Sequence, residues 1–70
     1  MKQYETIKLW KLNGKIYATH LETNYEEEVD TLYMDNAVVM FNLDGYFIVH
    51  AYAYDTINAV VLMTREKKND

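Results

Sequence analysis

The chain has seventy residues, a net charge of −4 and no cysteine. This length allows a single domain, read as residues 1–70 with a core of about 4–65, and a domain this small buries only about 60% of its unfolded surface. Disulfides and thiolate metal sites are excluded, two histidines make no zinc site, and the acidic balance offers no broad footprint for nucleic acid.

The first clear element in the chain is "TIKLWKLNGKIYATHLE", two β-rich runs around Asn13-Gly14. Both turn residues tolerate positive φ, as a type I′ turn requires, so a hairpin with a two-residue loop is expected. That loop sets Trp10 opposite Tyr17, Leu9 opposite Ala18 and Ile7 opposite His20. Trp10 and Tyr17 then form an aromatic cross-strand pair, a recognised stabiliser of paired strands.

"ETNYEEEVD" is acidic and polar and reads as a solvated loop. The alternative is a short helix capped by Thr23 or Asn24, with Glu26, Glu27 and Glu28 in its first turn. "TLYMDNAVVMFNLDGYFIVHAYAYD" reads as strand, turn, strand, with Asp44-Gly45 as a second I′ signal. In that register Phe41 faces Ile48, Val39 faces His50 and Ala37 faces Tyr52. Val38, Met40, Phe47, Val49 and Ala51 fall on the other face. Neither face is polar, which is the pattern of strands buried on both sides. "INAVVLMT" is a last β-branched strand, and 66–70 is a charged tail expected to fray. Short strands at this spacing point to an all-β class, a small, strongly bent, five-stranded antiparallel barrel.

No apolar run approaches ~18 residues, so no transmembrane helix is expected. Residues 1–14 lack the apolar core of a signal peptide, and the expected compartment is cytoplasmic. Nothing resembles a nucleophile with its base, a phosphate loop or a dinucleotide fingerprint, so neither catalysis nor a cofactor is expected. Glu26, Glu27, Glu28 and Asp30 lack the alternating ligands and sharp glycine turn of a calcium loop, and no metal is expected. His20 reads as structural. His50 reads either as a base-contacting histidine or as a hydrogen-bonded core or interface residue. Tyr25 suits base stacking, whereas Tyr46, Tyr52 and Tyr54 suit a subunit interface, where tyrosine offers rigid area and a polar tip.

"LNGKIYATHL" resembles the first half of the Sm-like (LSm) fold, with Gly14, Ile16, Tyr17 and Leu21 at the family's offsets. "VHAYAYDTINAVVL" resembles the second half. His50-Ala51 matches part of the "KHA" stretch of bacterial Sm-like RNA chaperones, with Val49 in place of the lysine. Val60-Val61 stands for the closing strand. "LYMDNAVVMF" is similar to a stretch of short phage-borne and environmental members.

The resemblance implies an Sm-like or SH3-like barrel assembled as a homo-oligomeric ring, scaffolding or binding single-stranded RNA. It implies RNA contacts at His50, Asn24 and Tyr25, and subunit contacts at Tyr46, Ile48, Tyr52, Tyr54, Val60 and Leu62. Ring pairing would cover the two-faced strand, because a long apolar edge is hazardous unless paired. The alternative is an acidic protein-binding module that mimics DNA. "ETI" and "VH…AYDT…VVLMT" are similar to pieces of the phage uracil-DNA glycosylase inhibitor, and carboxylates can stand in for phosphates. The host in either case would be a bacterial or phage-infected cell.

Overall fold

A computed structural model describes residues 2–53 and 59–67. In chain order the elements are β1 (Tyr4–Leu12), β2 (Lys15–His20), β3 (Tyr25–Val29), α1 (Met34–Leu43), β4 (Phe47–Ala53) and β5 (Ala59–Glu66). The five strands form one antiparallel sheet in the order β3-β2-β1-β5-β4. β3 and β4 lie at opposite edges and do not pair, so the sheet is open and the expected closed barrel is not formed. The chain that would supply the missing strand coils into α1 instead and packs on one face of the sheet.

The first hairpin forms in the expected register, with Trp10 opposite Tyr17, Leu9 opposite Ala18 and Ile7 opposite His20. Asn13 and Gly14 both have positive φ, 52° and 78°, as a I′ turn demands. Alternation then sorts the sheet into two faces. Ile7 and Leu9 of β1, Ile16 and Ala18 of β2, Val29 of β3 and Val61 and Met63 of β5 point one way and are buried. α1 covers this face with Ala37, Met34, Val38 and Phe41, the i, i+3, i+4, i+7 stripe of an amphipathic helix.

Asp44-Gly45 does not close a hairpin. Asp44 has φ −92° and ψ 13°, so only Gly45, at φ +94°, is left-handed. The Gly45 N–H donates to the Asn42 carbonyl and the Tyr46 N–H to the Phe41 carbonyl, both at 3.0 Å. Those two bonds define a Schellman C-cap, which satisfies the last carbonyls of a helix. The hydrophobic contact that accompanies the motif is an edge-to-face pair of Phe41 and Tyr46, with ring centroids 5.6 Å apart. Residues 34–43 are therefore helical, and the expected pairings of Phe41 with Ile48, Val39 with His50 and Ala37 with Tyr52 do not occur. The run is apolar in both the helical and the strand period, so periodicity does not choose between them. The cap chemistry does.

The expected acidic loop is also corrected. Tyr25–Val29 is an edge strand paired to β2, with Ile16 opposite Val29 and Ala18 opposite Glu27. Asn24 takes φ 59° in the turn before it. Burial of Val29 and the free edge of β2 outweigh the low strand propensity of glutamate. At the other end of the chain, Glu66 pairs with Tyr4 and the Lys67 N–H donates to the Gln3 carbonyl at 2.7 Å. Glu66 and Lys67 of the expected tail are thus tied to Tyr4 and Gln3, and residues 68–70 lie outside the described part.

Arg65 clamps the helix end to the sheet. Its Nε donates to Glu5 at 3.0 Å, its Nη1 reaches the Asp44 carboxylate at 3.0 Å and the Asp44 carbonyl at 2.7 Å, and its guanidinium lies 4.5 Å from the Tyr46 ring centre. The fork of an arginine suits three such partners, and a lysine offers no equivalent geometry.

A Cβ at Gly45 would meet only the Arg65 Cδ, at an ordinary 3.9 Å. The penalty for Gly45→Ala is thus one of backbone conformation, and it is expected to lower the unfolding free energy by about 1 kcal/mol. A lower urea midpoint at unchanged slope is the expected reading. An unchanged midpoint would mean that the cap does not hold Gly45 left-handed.

Candidate functional site

The sheet face opposite α1 carries Trp10, Tyr17, Thr19, Leu62 and Thr64, with no element among the described residues packed over it. Trp10 and Tyr17 stack at 4.9 Å, and the Trp10 Nε1–H donates to the Thr19 hydroxyl at 2.8 Å. Thr6 and Thr64 face each other with their hydroxyls 3.2 Å apart.

β4 extends this face in a way that depends on one residue. Ile48 pairs with Met63, but His50 pairs with Leu62, so Val49 is an extra residue, a β-bulge. In a regular ladder His50 would oppose Val61 and Tyr52 would oppose Ala59, and both would point toward the helix side. The bulge reverses them. His50 now shares a face with Leu62 and Tyr52 with Val60, and their rings lie 5.1 Å apart on the open side. Phe47, opposite Thr64, joins them.

The expectation for this strand is burial on both sides. Its large side chains are only about half covered. Phe47 is 49% exposed, Ile48 50%, Val49 54% and Tyr52 38%. Among the described residues no strand pairs with the outer edge of β4. α1 adds a second uncovered stripe, since its outward residues Val39, Met40 and Leu43 are exposed, Leu43 to 84%.

The expected site residues scatter across this frame. Ile48 lies on the helix side of the exposed edge, while His50, Tyr52 and Leu62 lie on the open face. Val60 is buried on that face. Tyr54 falls outside the described residues. Tyr46 is 2% exposed and belongs to the subunit's own core between Phe41 and Arg65. The three expected RNA contacts do not converge. Asn24 and Tyr25 sit beside the β3 edge, and His50 sits on β4 with three strands between. Tyr25 lies against His20 in a tilted ring pair with centroids 5.6 Å apart, on the helix side.

Sequence reasoning misses one further concavity. A cleft of about 370 Å³ lies between α1 and β3, lined by Glu27, Val29, Asp30, Met40, Phe41 and Asp44. The His20 Nε2 holds the Glu27 carboxylate at 2.9 Å, and Arg65 holds that of Asp44. Reading 34–43 as a strand and 25–29 as a loop removes both walls of this cleft, which is why the sequence does not reveal it. Among the described residues no group of three metal-binding side chains converges, and no helix is long and apolar enough to cross a membrane. Comparison with protein-family models, with curated proteins and with solved structures finds no match.

Burial pushes the Tyr46 phenol above its ordinary value of 10.0; Arg65 pulls against this, and Glu5, Asp44 and Glu22 add to it. Burial works against the Arg65 charge. The hydrogen bond to Glu5, with the charges of Tyr46, Glu5 and Asp44, outweighs that burial and holds the guanidinium above its usual value. Because the folded value of Tyr46 is raised, its contribution to stability is intact below 10.0 and is lost as pH climbs through the folded value. In an alkaline titration a tyrosine step above 10.0 is expected, and Tyr46→Phe should remove it. A titration curve unchanged by Tyr46→Phe above 10.0 would place Tyr46 in water.

Proposed function

We propose that this chain is a non-enzymatic, self-associating scaffold or binding module, and that a further copy of the chain covers β4. The observation that carries this reading is the exposure of Phe47, Ile48 and Val49 along β4, whose outer edge no strand pairs with among the described residues. An edge of this kind is a template for another strand, and soluble proteins blunt it with charge, proline or a covering element. Phe47–Ala53 has neither charge nor proline, apart from the titratable His50. A seventy-residue domain also gains from association the stability that its small core does not supply.

Light scattering across a dilution series tests the reading. Discrete self-association at micromolar concentration is expected, and Val49→Lys, which sets a charge on the exposed edge, should return the chain to a monomer with its fold intact by circular dichroism. A wild-type monomer throughout the series would end this proposal.

A second reading rests on the opposite edge. Glu27 on β3 lines the cleft together with Asp30 and Asp44, and Glu26 and Glu28 stand on the other face of the same edge strand. This acidic side suits a basic protein partner, as a DNA-mimicking inhibitor would require. Purified uracil-DNA glycosylase is the probe that the family resemblance suggests. Inhibition that weakens with salt and with Glu26→Gln/Glu28→Gln would support the reading, and full activity at micromolar excess of this chain would remove it.

A further inference from the structure

We infer that the covering copy docks by isologous antiparallel pairing of β4 with β4 of a second subunit, which joins two sheets into one of ten strands. The inference rests on the self-association reading above and adds the partner surface, its symmetry and its register.

The two sheet edges differ in charge, and that difference selects the pairing. β3 presents Glu26, Glu27 and Glu28, countered by Lys15 at 3.9 Å from Glu28 and by His20 at Glu27. β3 against β3 would set carboxylates against carboxylates, which is destabilising across a strand pair. β3 against β4, the head-to-tail contact of a ring, would press those carboxylates onto an apolar strand that has no cation to receive them. β4 against β4 brings together two strands without formal charge. It also leaves the two acidic edges at the far ends of the joined sheet, roughly 40 Å apart at the usual strand spacing. That distance is several times the Debye length of about 8 Å at physiological salt, so two subunits of net charge −4 do not oppose the contact strongly.

The contact is small. Edge-to-edge pairing covers the backbone edge of β4 and the flanks of the exposed side chains Val49 and Tyr52, while their outer surfaces stay on the sheet faces. A specific interface begins at about 600 Å² per partner, so this one lies at the small end and dissociates on dilution.

The Val49 bulge changes the face of β4 between Ile48 and His50, so pairing that matches face to face uses the regular part of the strand beyond it. The two-fold axis then falls on Ala51. Ala51 opposes Ala51 of the second copy, and His50 opposes Tyr52 on the open face, where α1 does not obstruct.

Single-cysteine cross-linking tests the arrangement, since the natural chain has no cysteine to interfere. Directly opposed residues in an antiparallel pair have Cα atoms about 4.5–5.5 Å apart, within disulfide reach. Ala51→Cys is expected to give a covalent dimer on mild oxidation, with lower yields for His50→Cys and Tyr52→Cys. Phe47→Cys and the β3 variant Glu27→Cys should give none. Self-association of these variants without a disulfide at any of positions 50, 51 and 52 would overturn this inference and leave the scaffold reading standing. Cross-linking of a Glu27→Cys and His50→Cys mixture, in place of either alone, would assign head-to-tail pairing. A chain that is monomeric before oxidation would remove both readings.

Discussion

One helix of ten residues lies across a sheet of five strands, and the rest of the structure follows from that disproportion. α1 packs over β1 and β5, where Ile7, Leu9, Val61 and Met63 meet Ala37, and it reaches the β3 side through Phe41. Nothing comparable is left for the opposite face or for β4. A larger domain would bury these surfaces with more chain, because the buried fraction rises with size. Here the apolar surface in excess remains on an edge.

The helix is placed by its ends more than by its middle. Its central run Ala37–Phe41 is apolar on both sides, with Met34, Ala37, Val38 and Phe41 inward and Val39, Met40 and Leu43 outward. Gly45 ends it, Phe41 and Tyr46 close the cap, and Arg65 ties the capped end to β1 and β5. The same cap turns the chain into β4. Arg65 near the end of β5 and Tyr46, which the sequence suits to a subunit interface, are thereby joined in one clamp. The chain positions the exposed strand through this clamp, so the candidate site and the stability of the fold share residues.

The edges of the sheet have been treated unequally. β3 is guarded by carboxylates, two of them paired with Lys15 and His20. β4 has a bulge, which is also a way of disturbing an edge, yet this bulge turns aromatic rings to the open face without adding any charge. An edge protected on one side and bare on the other has a preferred direction of association. Acidic surface faces away from the bare edge, so the same molecule presents two chemically different sides.

Residues 4–20 are legible in the sequence by itself, because an Asn-Gly turn with two flanking β-rich runs specifies turn type, strand pairing and register together. The last strand is legible from "AVVLMT" for the same local reason. The apolar character of residues 46–53 on both faces is legible as well, and it raises the question of what covers them. Tertiary structure decided the remainder. Asp44-Gly45 is compatible with a hairpin turn and with a helix C-cap, and the choice depends on whether Asp44 is left-handed, which neighbours decide. "YEEEV" becomes a strand only because β2 offers it an edge and the core accepts Val29. The open face of His50 and Tyr52 depends on a one-residue bulge, and a period of two magnifies a single added residue into a reversal of faces. Local chemistry thus determined the turns and the paired strands nearest to them, while packing between segments distant in the chain determined the helix, the edges and the side on which the candidate site lies.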